Sequence, residues 1–211
     1  MESPKSFLNG LTAKNNRGIT EKLSKTVVGI AGCGGLGSNI AVALTRIGIK
    51  KLILVDFDKV ELSNLNRQYY FIDDLGKNKV DALYEILKRI NPHIELETHC
   101  IKLDNKNLSS IFSEAFIVAE AFDAVSAKSM IIDYFLGLVN ENKYLVCGSG
   151  MTGISSSNLI STKKLNEKIY ISGDFISEPN EKEGLMAPRV NIAVGHQANM
   201  IVRLIDGVVE P

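Results

Sequence analysis

From Lys25 onward, short apolar runs alternate with longer amphipathic stretches, a pattern that predicts strands joined by crossover helices on a parallel sheet. Thr26 to Ala31 predicts a buried strand, Leu36 to Ile47 a helix, and Lys51 to Asp56 a second strand rich in Ile, Leu and Val. In Lys79 to Ile90 the residues Val80, Leu83, Leu87 and Ile90 fall at helical spacing, and Asn91-Pro92 stops the helix. Ile94, Leu96, Thr98 and Cys100 alternate as one face of a strand does. Phe116 to Ala119 then predicts a strand, Lys128 to Val139 a helix, and Tyr144 to Cys147 a further strand.

The pattern changes after Gly150. Ser155 to Ile160 and Lys168 to Ser172 are short β-prone runs that predict an antiparallel pair. Gly173 to Pro188 has no periodicity and predicts a long mobile loop. Val190, Val194, Gln197, Ile201 and Leu204 mark a closing helix. The expected fold class is α/β: a Rossmann-like, mostly parallel sheet with helices on both faces and a C-terminal antiparallel extension. The expected organisation is a single domain over 1–211, with an N-terminal segment 1–24, a core 25–150, and a crossover loop and C-terminal helix 151–211.

Composition adds exclusions. The chain is 45% hydrophobic and 23% charged, as globular proteins are. Lys plus Arg and Asp plus Glu both total 24, so no bulk field holds a nucleic-acid backbone or an anionic membrane. Any anion must be bound locally. Cys33, Cys100 and Cys147 are odd in number and include no Cys-x-x-Cys pair, which argues against disulfides and a four-cysteine zinc site. The opening residues lack the basic-then-apolar order of a signal peptide, and the longest run without a polar side chain, Val27 to Gly37, is far shorter than the roughly 18 residues of a membrane span. The expectation is a cytoplasmic protein with neither nucleic acid nor membrane as partner. His93, His99 and His196 are isolated from one another and read as structural.

The strongest chemical signal is Gly32-Cys33-Gly34-Gly35-Leu36-Gly37, set between a predicted strand and a predicted helix. Glycines permit a tight turn and let backbone N–H groups approach a phosphate at the helix N-terminus. Asp56, at the end of the second strand, is placed to accept hydrogen bonds from ribose hydroxyls. Together these predict a nucleotide without saying which one. Downstream, Arg67 offers a planar fork of donors for phosphate oxygens, and Lys79 a movable point charge. ATP has a use for both.

On these motifs the sequence resembles the ThiF/MoeB/HesA adenylyltransferases, the bacterial relatives of ubiquitin-activating enzymes. Gly32-x-Gly-Gly-x-Gly37, Asp56-x-Asp58, Ser63-Asn-Leu-x-Arg-Gln68, Gly76-x-x-Lys79 and Asn91-Pro92 occur in family order, over about Thr26 to Cys147. The resemblance implies that the glycine loop (Gly32, Gly34, Gly35, Gly37), Asp58 and Gln68 belong to the nucleotide site. It also implies that Asp56 holds the ribose, Asn64 and Arg67 hold the phosphates, and Lys79 sits near the α-phosphate. Asp123 matches the family's magnesium-associated aspartate, although this chain has Ala121-Phe122-Asp123-Ala124 where the family usually reads Cys-Thr-Asp-Asn. Taken alone, an acid there is also a helix N-cap. Arg17 is the candidate for a family arginine that reaches into the other subunit's site; a solvated surface arginine is the alternative. The family's paired zinc cysteines are absent, so no zinc is expected.

The resemblance further implies a homodimer that uses magnesium ATP to activate the C-terminal carboxylate of a small ubiquitin-like sulfur carrier ending in Gly-Gly, with release of pyrophosphate. Carriers of thiamine biosynthesis fit a short, zinc-free form best. Acidic residues around Glu178, Glu181 and Glu183 are candidates to guide the carrier's tail. Two other classes share part of the pattern. A NAD-dependent oxidoreductase would use the same glycine loop and Asp56 but leave Arg67 and Lys79 without a purpose. A non-catalytic nucleotide-sensing partner would bind ATP and release no pyrophosphate.

Overall fold

The computed structural model describes residues 3–138, 142–178, 180 and 183–211. Aliphatic runs become strands: β1 (Val27–Ala31), β2 (Lys51–Val55), β3 (Glu95–His99), β4 (Ile117–Glu120), β5 (Tyr144–Gly148), β6 (Ser161–Lys164) and β7 (Ile169–Gly173). They form one sheet in the order β3-β2-β1-β4-β5-β7-β6, with every neighbouring pair parallel except β6 against β7. β1 pairs with β2 on one side (Ile30↔Leu54) and with β4 on the other (Ile30↔Ala119). Strand order reverses between β1 and β4, which opens a crevice at their carboxyl ends where α/β sheets bind ligands.

Both faces of the central strands are covered. Val28, Ile30, Leu52 and Leu54 pack with Ile40 and Leu44 of α3 (Gly35–Arg46), Leu83 and Leu87 of α4 (Lys79–Ile90), and Ile201 and Leu204 of α7 (Ala187–Asp206). Ala31, Ile53, Val55 and Val118 pack on the other face with α5 (Leu108–Ile111) and with Ile131 and Phe135 of α6 (Val125–Gly137). This two-face division follows from strand alternation, and each face removes an apolar layer from water. Two short helices precede β1, α1 (Pro4–Leu11) and α2 (Ile19–Leu23), in the N-terminal segment 1–24. Leu8 and Thr12 of the first turn region fill the space over Gly48, at the C-terminal end of α3.

Three local expectations change. The strand expected at Ser155 to Ile160 lies instead at Ser161–Lys164: Ser156 caps a 3₁₀ turn over Ser157–Leu159, and a polar lysine-bearing stretch suffices for an edge strand. α6 begins at Val125 rather than Lys128, while Val139 lies outside the described residues. Of the region expected to be a mobile loop, Gly173 ends β7 and Ala187 and Pro188 open α7, and what lies between is irregular but tied down at its described residues. Asp174 Oδ1 accepts from the N–H groups of Ile176 (2.9 Å) and Ser177 (2.8 Å), and Phe175 takes a left-handed φ of 63°. Among the described residues no helix is long and apolar enough to cross a membrane.

Candidate functional site

β1 runs into the glycine loop at the crevice. Gly32 has φ of 95°, and a Cβ there would stand 2.9 Å from the Ala121 carbonyl oxygen. Its N–H donates to the Val55 carbonyl at 2.8 Å, so the turn is wedged between the ends of β2 and β4. Gly37 is tighter still, since a Cβ would lie 1.8 Å from the Gly32 carbonyl oxygen. α3 starts with Gly34 at its N-cap position, where no side chain caps the first turn. Uncapped N–H groups at a helix N-terminus favour an anion.

Asp56 follows β2 and is 9% exposed. Its Oδ2 accepts the Cys33 N–H at 2.7 Å and its Oδ1 the Asp58 N–H at 2.8 Å. Burial pushes its carboxyl above the usual range, against the opposing pull of Lys79 and these two N–H groups. Lys79 opens α4, is 6% exposed, and places Nζ 2.8 Å from Asp58 Oδ2. The Tyr70 hydroxyl donates to the Cys33 carbonyl at 2.7 Å and lies 3.3 Å from the Lys79 carbonyl. Tyr70 thereby pins the glycine loop to α4. Sequence reasoning missed it; its position two residues after Gln68 was the available signal.

The segment between Asp56 and Lys79 folds back onto α3. Asn64 ends a 3₁₀ turn, and its Oδ1 accepts the Glu61 N–H at 3.0 Å. Arg67 packs its stem on Gly35, with Cγ 3.4 Å from where a Cβ would stand. Its Nη1 donates to the Asn66 Oδ1 at 2.8 Å and the Ser63 carbonyl at 3.1 Å. Asn39 of α3 donates to the Arg67 carbonyl at 2.9 Å and fixes the backbone there. Gln68 lies beside Gly34, and its Oε1 is buried with no hydrogen-bond partner among the described residues. Asp56, Asp58, Lys79, Arg67, Gln68 and the glycines are thus brought together at one edge, and Asn64 borders them.

Asp123 is exposed in the turn after β4, whose Ala121 N–H donates to the Ala31 carbonyl at 2.9 Å. It does not cap α6, because Ala124 holds that position. Just before it, Glu120 is fully buried and accepts from Lys128 Nζ at 2.8 and 2.9 Å and from the Phe122 N–H at 2.7 Å. Lys128 also donates to the Gly148 carbonyl at 2.9 Å, so this pair fixes the turn that carries Asp123. Burial pushes the Glu120 carboxyl up, with Lys128 opposing. Sequence reasoning missed this pair as well, since a lone acid ending an apolar strand gives no sign of its partner.

Arg17 is not brought to this edge. It is exposed, and its neighbour Asn15 donates to the Ile47 carbonyl at 3.0 Å, at the far end of α3 from the glycine loop. Twelve helical residues separate the two ends, about 18 Å at 1.5 Å per residue. Cys33 and Cys147 are buried, and burial pushes both thiols well above their usual range, with the charges of Asp56 and Glu120 respectively adding to it. His93 meets the Phe7 ring edge-on, His99 pairs with Glu97 at 2.7 Å, and His196 Nδ1 lies 3.2 Å from the Thr162 hydroxyl. Among the described residues no group of three or more His, Cys, Asp or Glu side chains is placed to hold a metal ion.

The model of the ThiF family matches residues 10–211. Ubiquitin-like modifier-activating enzyme 5 of Drosophila pseudoobscura pseudoobscura is 41% identical over 128 residues, which are 58% of this chain and 32% of that protein. The same enzyme of Drosophila ananassae is 41% identical over 139 residues, 66% of this chain and 34% of that protein. The chain therefore spans about a third of the length of the curated relatives it matches. Among solved structures, E. coli tRNA N6-threonylcarbamoyladenosine dehydratase TcdA in complex with ATP aligns with a TM-score of 0.84 at 19% identity, over 95% of this chain and 93% of that one. E. coli MccB with ATP aligns at 0.70 and 23% identity, over 92% and 59%. At such identities the two structures establish the shared fold.

Proposed function

The chain belongs to the ThiF family, and from that premise we propose that it uses ATP to adenylate the C-terminal carboxylate of a small ubiquitin-like sulfur carrier protein ending in Gly-Gly, as in thiamine biosynthesis. The observation that carries this reading is the convergence of two cations on one uncapped helix N-terminus: Arg67 against Gly35, and Lys79 tied through Asp58 and Asp56 to Cys33. The relatives support it by name, one being an activating enzyme for a ubiquitin-like modifier and two being ATP complexes.

In this reading the N–H groups of the glycine loop and the α3 dipole take phosphate oxygens. Asp56 uses its two N–H bonds to stay fixed and its remaining lone pairs to accept ribose hydroxyls. Asn64, whose Oδ1 is occupied by Glu61, offers its Nδ2, and Gln68 offers a buried Oε1 that lacks a donor. The carrier carboxylate attacks the α-phosphorus, a C–O–P linkage forms, and the bond to the departing pyrophosphate breaks. A carboxylate is ionised near pH 7, so no general base is needed. The obstacle is anion against anion. Arg67 and Lys79 lower that repulsion and stabilise the charge that develops on the leaving group.

Asp123, a single exposed carboxylate at the crevice, fits the way magnesium is commonly held, by one or two carboxylates together with substrate phosphates. Bound there, magnesium would neutralise phosphate charge. Arg17 lies too far from its own chain's site, which accords with a reach into the partner subunit of a homodimer. Of the acidic residues expected to guide the tail, Glu181 lies outside the described residues, while Glu178 and Glu183 line a cavity of about 340 Å³ with Ser155, Asp174 and Ser177, a passage suited to an extended tail. Cys33 and Cys147 are buried and hold their protons, so neither serves as a sulfur acceptor beside the adenylate, whose sulfur is then supplied by another protein; the exposed Cys100 follows β3, at the outer edge of the sheet.

The test is ATP–pyrophosphate exchange with candidate carriers, using a carrier shortened by its last glycine as control. Exchange that requires the intact carrier is the expected result. Exchange indifferent to the carrier overturns carrier activation. Binding of ATP without exchange matches the nucleotide-sensing partner, and preference for NAD over ATP matches the oxidoreductase.

A further inference from the structure

Asn66 occupies the unconstrained position within Ser63-Asn-Leu-Asn-Arg-Gln68, and nothing in the nucleotide chemistry requires it. Its side chain nevertheless joins two parts of the molecule far apart in sequence. Oδ1 accepts from Arg67 Nη1 at 2.8 Å, while Nδ2 donates to the Leu185 carbonyl at 3.0 Å. The Asn66 carbonyl in turn accepts the Ala187 N–H at 3.2 Å. Only one orientation of the amide serves both contacts, since a flip would set NH₂ against a guanidinium and an oxygen against a carbonyl. The relay is therefore directional: cation, amide, crossover segment.

We infer that Asn66 is a positioning residue that couples the phosphate-binding Arg67 to the crossover segment around Leu185–Ala187. This rests on the functional reading above. Arg67 spends Nη1 on Asn66 and Ser63, while its Nε and Nη2 make no hydrogen bond among the described residues. Those are the donors a phosphate would take. A phosphate there fixes the guanidinium plane, which fixes the Asn66 amide and with it the Leu185 carbonyl. Linkage requires the reverse as well, so that a docked segment holds Arg67 ready for phosphate. The segment bounded by Asp174 and Ala187 adjoins the cavity proposed for the carrier tail, and the relay gives occupancy of one site a route to the other.

The experiment is hydrogen exchange of the peptide covering Glu183–Ala187 with and without ATP alone, in the wild type, Asn66→Ala and Asn66→Asp. Asn66→Asp retains the acceptor for Arg67 and the side-chain shape, replaces the donor to Leu185 with an oxygen and adds a negative charge beside Arg67, so Asn66→Ala serves as the uncharged comparison. The wild type should exchange about fivefold or more slowly with ATP, the lower range of coupling between sites. Both variants should still bind ATP and lose that protection. Equal protection in either variant overturns the relay, as does a wild type that binds ATP without protection. A wild type that does not bind ATP overturns the functional reading itself.

Discussion

Lys79 Nζ lies 2.8 Å from Asp58 Oδ2, and the two partners are unequally wet, with side-chain exposures of 8% and 49%. A buried ammonium whose carboxylate sits at the solvent edge is able to exchange that partner for a phosphate. Asp58→Asn should therefore melt below the wild type without ATP and gain more from it, in the range of tenfold tighter binding or about 1.4 kcal/mol. Thermal melts at fixed ATP measure this, and a smaller gain than in the wild type contradicts the exchange of partners. Lys79→Met should lower ATP–pyrophosphate exchange by about 10²-fold or more.

Much of this edge is legible in the sequence. The glycines, Asp56, Arg67 and Lys79 announce themselves because a close backbone approach and a local charge demand particular residue types. The strand at Ser161–Lys164 did not, since an edge strand carries no apolar run to mark it. Lys128 and Tyr70 were hidden for another reason: the Cys33 carbonyl lies 37 residues from Tyr70, and Glu120, though eight residues from Lys128, meets it only because the turn after β4 brings the first turns of α6 back over the strand end. Arg17 was legible only as a residue type, because the turn that carries it docks at the far end of α3 from its own chain's glycine loop, a placement set by the fold.

The glycine loop has no slack at Gly37. A Cβ there would lie 1.8 Å from the Gly32 carbonyl oxygen and 3.0 Å from Ile30 Cγ2, and the first of these is backbone that cannot swing aside. Gly37→Ala should lower stability by about 3 kcal/mol or more, or abolish soluble folding. Gly10→Ala, a helical site with nothing within 4 Å, is the control and should be neutral or stabilising by up to about 1 kcal/mol. Urea unfolding of both reads the contrast, and equal effects would mean the loop can relax.

Asp123 separates binding from folding. Its side chain is exposed, so Asp123→Ala should change stability by no more than about 0.5 kcal/mol. The magnesium concentration needed for half-maximal pyrophosphate exchange should rise severalfold, because one of the few carboxylates available to the ion is removed. A magnesium titration of wild type and variant checks it, and superimposable curves would remove Asp123 from the metal's surroundings.

The ion pair of Asp174 and Arg189 lies at the root of the crossover segment, with side-chain exposures of 4% and 5%. Arg189 also donates to the carbonyls of Ser155 and Ser156, so it joins the start of α7 to the loop before β6. Burial pushes the Asp174 carboxyl up, but the N–H groups of Ser177 and Ile176, the Ser177 hydroxyl and Arg189 together hold it below the usual aspartate range. A carboxyl held below its unfolded value, about 3.9, contributes stability that is complete above that pH and lost as pH falls through the lower folded value. Asp174→Asn should thus be less stable than the wild type at pH 7, toward the lower end of the roughly 3–5 kcal/mol expected for stranding one partner of a buried pair. The deficit should shrink as pH drops below about 4, and Arg189→Met added to Asp174→Asn should recover part of it, because the stranded guanidinium is gone. Unfolding free energies between pH 3 and 7 test the sign, and a gap that widens on acidification would reverse it. Neither residue touches the glycine loop, but Asn66 links the segment they hold to Arg67, so carrier-dependent exchange should fall further than ATP affinity does, and an equal fall in both would place this pair's influence on the nucleotide.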